Sequence, residues 1–291
     1  MQPVKKIPFA PNDIKVLAIK GFTVGDPLNS GSFACVCKAT YKDRPAAVKV
    51  IDLEKTSDDY RIKFLPRELY TMKKLRHRFL IRIIDIYVVG NRVLVFMELA
   101  DGGDFLDLLH STGALTEEKT RFYYNQFGDA LRYMHGIGFA HRDIKCENIL
   151  LNGAHNRAML TDYGFTRSCF ERHTGARVLS DTHCGSRAYL APEVLAGKKY
   201  NPLISDVWSM GVVMYVLLQN RHPFSDRDSK KLLLAELARD YKYVSHLSEQ
   251  CKSVIEGQLD PNPSTRLSMI DVFNHPWFEK GSKHTDSSEE D

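Results

Sequence analysis

Over residues 22–50 the apolar and polar positions read as strand, turn, strand, and the stretch Ala46-Ala47-Val48-Lys49-Val50-Ile51 reads as a buried strand carrying one outlying charge. Lys49 therefore needs a reason. Farther on, Leu69, Met72 and Leu75 recur at helical spacing over 67–75, which predicts one helix packed on a sheet. Two further strands are expected at 81–89 and 92–97, separated by the turn signal Gly90-Asn91. Beyond the Gly-containing stretch 98–103, the periodicity becomes helical. Thr116 with Glu117 and Glu118 opens a helix that Gly136 closes near His135. Residues 205–218 are almost wholly apolar, as a helix buried at the centre of a lobe must be, and later helices are expected at 229–239 and 248–258. No internal repeat interrupts this order. The pattern predicts an α+β, bilobal chain: lead-in 1–20, a small β-rich lobe 21–97 with one main helix, a hinge 98–103, a larger mostly helical lobe 104–279, and a polar, acidic-ended tail 280–291 expected to be disordered.

Composition narrows the class without naming an activity. The 43% hydrophobic and 26% charged content of the 291 residues lies near globular averages and excludes a fibrous or wholly disordered chain. A net charge of +4 calls for neither a nucleic acid nor a membrane partner, and the densest basic run, Lys73-Lys74-Leu75-Arg76-His77-Arg78, reads as the solvated end of a helix. The longest apolar stretch, 211–218, is too short to span a bilayer, and residues 1–10 hold no continuous apolar segment of the secretory kind. Six scattered cysteines are expected as reduced thiols, and a cytoplasmic location follows as the expectation.

Three short motifs carry chemistry. The run His141-Arg142-Asp143-Ile144-Lys145-Cys146-Glu147-Asn148, then Asp162-Tyr163-Gly164, then Ala191-Pro192-Glu193, resembles in order the catalytic loop, metal-binding loop and activation-segment end of a protein kinase. Phosphoryl transfer asks mainly for positioning and charge neutralisation. In that role Asp143 takes or orients the proton of an attacking hydroxyl, Lys145 neutralises charge on the moving phosphoryl group, and Asn148 and Asp162 offer hard oxygen ligands to Mg²⁺.

The turn Asn29-Ser30-Gly31-Ser32-Phe33-Ala34-Cys35-Val36 resembles a phosphate-cradling glycine-rich loop, although Asn29 and Ala34 replace two of its glycines and an ordinary hairpin would read the same. Lys49 precedes Glu68 by 19 residues, a separation suited to a strand lysine paired with a helix carboxylate; alone, it would read as a lysine snorkelling from a sheet edge.

Residues 22–278 as a whole resemble a eukaryotic Ser/Thr protein kinase domain. Asp206 resembles the residue that braces the catalytic loop, and Arg266 the one that pairs with Glu193. The closing His275-Pro276-Trp277-Phe278 is similar to the calcium/calmodulin-dependent and AMP-activated kinase group. Within it Phe64-Leu65-Pro66-Arg67-Glu68, Ala34, Lys145-Cys146-Glu147-Asn148 and Thr182-His183-Cys184-Gly185-Ser186 most resemble testis-specific serine/threonine kinases.

The resemblance implies ATP and Mg²⁺ as cofactors. It places Lys49 on the phosphates, Glu68 behind it, Glu98 to Ala100 against adenine and Met97 at the back of the pocket. Protein substrates with Ser/Thr acceptors are implied, with Asp104 and Glu147 receiving an arginine upstream of the acceptor and Ser186 bonding between Asp143 and Lys145. Thr182 falls where an upstream activating kinase would act, its phosphate meeting Arg142 and Arg167. Germ-cell differentiation is the implied setting. Asn29, Tyr163 and Arg187, the last in the substrate-docking segment, depart from the family pattern, and the alternative that the altered glycine loop and Tyr163 raise is a pseudokinase scaffold.

Overall fold

The computed structural model describes residues 11–30, 34–170 and 178–279. Gly31, Ser32 and Phe33 of the loop expected to cradle phosphate, residues 1–10 of the lead-in and the tail lie outside them. The lead-in contributes helix α1 (Pro11–Ile19), which the pattern reading did not anticipate. Its Leu17 is buried against one face of a five-stranded antiparallel sheet built from β1 (Phe22–Ser30), β2 (Ala34–Tyr41), β3 (Arg44–Asp52), β4 (Ile83–Val89) and β5 (Arg92–Glu98), in the order β1-β2-β3-β5-β4. The β2–β3 hairpin closes on Lys42 and Asp43, both at positive φ, the two-residue turn whose twist matches that of the strands.

Both faces of this sheet are covered, which explains the nearly unbroken apolar run in β3. Cys35, Cys37, Val48, Val50, Leu94 and Phe96 pack with Leu17 and Phe22 on one side. Ala47, Ile51, Val93, Val95 and Met97 belong to the other side, where α2 (Leu65–Lys74) lays down Leu65 and Met72. A π-helical turn over Tyr60–Phe64 leads into α2, and Pro66 stands in the first helical turn, where its missing N–H costs nothing.

After β5 the chain becomes helical, as expected, but starts sooner. Asp104 caps α3 (Phe105–Thr112) in a reciprocal capping box with Asp107. Thr116 then caps α4 (Glu117–Gly136) by accepting from Lys119 N at 3.2 Å. Gly102 is required where the chains cross: its N–H donates to Leu151 O at 2.9 Å, and a Cβ would collide with the Asn152 carbonyl. Short strands β6 (Phe139–Ala140), β7 (Ile149–Leu151), β8 (Ala158–Leu160) and β9 (Arg167–Ser168) pair as β6 with β9 and β7 with β8, and frame the catalytic-loop motif.

The rest of the lobe is α5 (Pro192–Leu195), α6 (Pro202–Gln219), α7 (Ser229–Leu237), α8 (Glu249–Gln258), α9 (Met269–Phe273) and α10 (Pro276–Glu279). By length and composition α6 could cross a membrane, yet 89% of it is buried inside the protein. It is the central core helix, packed against α4 and α8.

Candidate functional site

Between sheet and helices lies a cavity of about 660 Å³. Leu28, Val36 and Ala47 line it from the strands, Leu150 from β7, and Glu98, Leu99 and Ala100 from the connection between the lobes. Lys49, Asn148 and Asp162 reach it from three elements far apart in sequence. Asn29 also lines it, at the end of β1, whereas Ala34 opens β2 opposite Ile51 and is not among the lining residues. Ser30 pairs with Cys35 in the β1–β2 ladder.

The outlying charge of β3 is explained here. Lys49 Nζ lies 3.1 Å from Glu68 Oε1 and 3.0 Å from Asp162 Oδ1. Burial works against the ammonium charge, but the Asp162 and Glu68 carboxylates outweigh it and hold Lys49 above its ordinary value. Burial likewise opposes the Asp162 carboxylate, and Lys49 overrides it, so Asp162 titrates below the usual range. Glu68 is buried, with its second oxygen accepting from Tyr60 OH at 2.8 Å. Pattern reasoning did not reveal Tyr60; eight residues separate it from Glu68 across a π-turn, which local periodicity does not record.

Asp143 is buried and saturated with donors. Ser186 N and Oγ reach its Oδ1 at 2.9 and 3.0 Å, while Asn148 Nδ2 and Lys145 Nζ reach Oδ2 at 3.0 Å each. Lys145 Nζ also donates to Ser186 Oγ at 2.8 Å, so Ser186 stands between the two as the family resemblance implied. Asn148 spends its amide N–H groups on Asp143, leaving the side-chain oxygen as the atom open to a cation. Behind the loop, Asp206 accepts from His141 N and Arg142 N at 2.8 Å each and lies 2.8 Å from His135 Nε2. That clamp supports Arg142 at φ 68°, a left-handed conformation an arginine seldom adopts. Burial pushes the Cys146 thiol up to about 12, so it acts here as a small packing residue rather than a nucleophile.

Tyr163 carries a hydroxyl that must find a partner once buried. The ring places Oη 3.1 Å from Leu160 O and 3.3 Å from Ile81 O, so the two carbonyls share its single proton. Glu193 and Arg266 form a two-pronged pair at 2.7 and 2.8 Å. Glu98 spends its carboxylate on Arg157, which grips it with two N–H groups at 3.1 Å, a tie that only the folded structure reveals.

Two of the expected residues stand beside contacts that pattern reading did not supply. Arg142 and Arg167 converge, and in the unphosphorylated protein they meet on Ser180: each donates from Nη1 to Ser180 Oγ at 3.1 Å. Ser180 is fully buried and bridged to Tyr200, whereas Thr182 is half-exposed and offers its backbone N to the same Ser180 oxygen at 3.3 Å. The physical reason is reach, since the hydroxyl two residues earlier points inward under the segment. Asp104, read as a substrate acid, is also engaged as the α3 cap through Leu106 N and Asp107 N. Burial, with Asp107 and Glu147 alongside, raises its carboxyl above the ordinary range. Glu147 is exposed at the same cavity and accepts from Tyr189 OH at 3.4 Å.

Among the described residues no cluster of three or more His, Cys, Asp or Glu could hold a metal by itself. Two oxygen donors beside a phosphate-sized space fit Mg²⁺, which takes few protein ligands and completes its shell with phosphate and water.

Comparisons with known proteins agree with this geometry. A family model described as protein kinase domain matches residues 22–278. Testis-specific serine/threonine-protein kinase 1 of Mus musculus is 37% identical over 274 residues, covering 92% of this chain and 74% of that protein. Testis-specific serine/threonine-protein kinase 3 of Homo sapiens is 38% identical over 267 residues, 90% of this chain and 97% of that protein. CBL-interacting protein kinase 31 of Oryza sativa subsp. japonica is 34% identical over 264 residues, 90% of this chain and 58% of that protein.

Proposed function

Because the chain belongs to the protein kinase family and is an ATP-dependent protein serine/threonine kinase, we propose that Lys49, Asp143, Lys145, Asn148 and Asp162 perform the transfer. The carrying observation is that Lys49, Asn148 and Asp162 line one cavity, where Lys49 meets Asp162 at 3.0 Å, and that Asn148 in turn meets Asp143 at 3.0 Å. Ala47, Val36 and Leu150 would enclose adenine with the backbone of Glu98 to Ala100 at its edge, and Lys49, held by Glu68, would meet the phosphates. Asn148 and Asp162 would hold Mg²⁺, which when bound would neutralise charge on the phosphate oxygens. Asp143 orients the acceptor hydroxyl and receives its proton, while Lys145 stabilises the negative charge of the phosphoryl group in transit.

A catalytically inert scaffold is the alternative raised by Asn29 and Tyr163. The closed Lys49–Glu68 pair and the inward Asp162 favour transfer instead. ³²P incorporation from ATP into a basic peptide distinguishes them. Asp143→Asn should lower kcat by about 10²–10⁴-fold while Mg-ATP still raises the melting temperature, and equal incorporation by both proteins would refute the assignment.

We also propose a preference for arginine upstream of the acceptor, received by Asp104 and Glu147; replacing that peptide arginine by alanine should raise KM, and an unchanged KM would remove the idea. Phosphorylation of Thr182 is proposed to activate, its phosphate adding charge-assisted bonds to the arginine pair that Ser180 now occupies. Undiminished activity of Thr182→Ala, in protein otherwise phosphorylated there, would speak against it. Six free thiols suit a reducing, cytoplasmic setting, and the names of the relatives suggest male germ cells, both checked by imaging the endogenous protein in tissue.

A further inference from the structure

Arg187 is the departure that the transfer reading leaves unused. It follows Ser186, whose N–H and hydroxyl are both fastened to Asp143, and it opens the turn Arg187–Tyr189. Gly185, on the other side of Ser186, has φ 109° and lies against the Arg142 carbonyl so closely that a side chain would collide with it. Tyr189 is anchored in turn by Ser209 Oγ, which donates to its carbonyl at 2.8 Å. The backbone that carries Arg187 is therefore located by the same contacts that locate the reacting centre.

The side chain itself is exposed and lightly used. Its Nη1 donates to Arg227 O at 2.7 Å, which aims the guanidinium along the surface, and among the described residues it has no carboxylate partner. The remaining N–H donors of the guanidinium stay available to a ligand. The acids Glu147 and Asp104 line the nucleotide cavity, whereas Arg187 is not among its lining residues and stands one residue from the Ser186 that bonds Asp143. An extended peptide with its acceptor at Asp143 and its upstream arginine at these acids therefore has its next residue free to meet the guanidinium.

We propose that Arg187 selects substrates carrying an acidic side chain immediately C-terminal to the phosphorylated Ser or Thr. The inference rests on the transfer reading and its peptide polarity: the upstream arginine goes to Glu147 and Asp104, and the residue after the acceptor goes to Arg187. A carboxylate there pairs with the guanidinium, and a lysine or arginine there meets like charge. An exposed pair of this kind is worth up to a factor of about five in kcat/KM, with like-charge repulsion widening the spread between acid and base to about tenfold. The preference weakens as salt screens it.

The test uses the full chain and one peptide, with Arg three positions before the acceptor and Asp, Ala or Lys directly after it; a further peptide has Asp directly before the acceptor. Incorporation into the alanine peptide reports phosphoryl transfer by itself, and the Asp-to-Lys ratio of kcat/KM reports Arg187. We expect a ratio of about ten at low salt, carried by KM, falling to about one in Arg187→Ala and inverting in Arg187→Glu. Damage to the fold alone lowers all peptides together and leaves the ratio in place, so inversion is the decisive readout. A ratio near one in the unaltered protein, a ratio untouched by Arg187→Ala, or a stronger preference for Asp before the acceptor than after it would overturn the proposal.

Discussion

Asp206 and Glu236 are two carboxylic acids in the same lobe, each 1% exposed, with opposite surroundings. Two backbone N–H groups and a histidine ring converge on Asp206. Glu236, near the end of α7, has no hydrogen-bond partner on either oxygen among the described residues; burial, reinforced by Glu193 and only partly relieved by Arg266, pushes its carboxyl up to about 9. Equal burial therefore meets a full set of donors at Asp206 and none at Glu236, whose carboxyl keeps its proton. Partners, not depth, separate the two. The activation segment lies between these extremes, with two guanidinium groups sharing the single neutral oxygen of Ser180.

The strongest way to break the satisfied end is Asp206→Ala. It strands the N–H groups of His141 and Arg142 inside the lobe and removes what supports Arg142 at its positive φ, at a cost of about 2–4 kcal/mol in stability. Displacing the catalytic loop by as little as an ångström should also lower kcat by about 10²-fold. The KM for ATP should move much less, because Lys49 and the Glu98–Ala100 edge do not depend on Asp206. Kinetics at a temperature where the variant is folded separate the effects. If kcat stays within twofold of the unaltered value, Asp206 is only a stabilising residue.

The intermediate case predicts a state-dependent effect. Ser180→Ala deletes the oxygen shared by Arg142 and Arg167, leaving Arg142 with the Phe165 carbonyl and Arg167 with Asp181 but no acceptor common to both. In phosphatase-treated protein, activity should fall about tenfold, the equivalent of about 1.4 kcal/mol of lost ordering. After phosphorylation of Thr182 the deficit should shrink, since a phosphate supplies several acceptor oxygens to the same arginines. A Ser180→Ala loss identical in both states would show that Ser180 serves packing against Tyr200 rather than the arginine pair.

How much of this was visible beforehand follows the same division. The chemical residues were legible because they sit in short runs, 141–148 and 162–164, and because Lys49 is an ionic residue in an apolar strand. The sheet strands and the helices α4, α6 and α8 were legible from unambiguous periodicity and Thr116 capping. What stayed hidden was pairwise. Arg157 meets Glu98 across 59 residues, and Arg142 finds Ser180 across 38, and neither separation leaves a local pattern. Short elements were missed for a related reason. The eight residues of α3 turn twice, so its period hardly establishes itself, and its cap, Asp104, already had a reading as a substrate acid. Helix α1 is held by Leu17 on the sheet face opposite α2, a contact that no local periodicity records.

Glu236, the unsatisfied end, predicts a gain from mutation. Its folded-state value, about 9, lies above the ordinary 4.5, so between these values the folded protein retains a proton that the unfolded chain releases. Its contribution is fully present below pH 4.5 and is lost as pH rises through 9, which gives a stability that declines across that window. Glu236→Met keeps the volume, removes both unpartnered oxygens and abolishes the titration, so it should stabilise by about 1–3 kcal/mol at pH 8 and raise the melting temperature by a few degrees. At pH 5, where the native carboxyl is protonated in the folded state and half or more ionised only when unfolded, the gain should be smaller. Glu236→Gln separates the two contributions: it flattens the pH dependence while retaining an unpartnered amide, so its melting temperature should fall between the other two at pH 8. Thermal denaturation of the three proteins from pH 5 to 9 reads both quantities, and parallel curves would mean that Glu236 reaches water or a partner in the folded protein and is not the counterpart of Asp206.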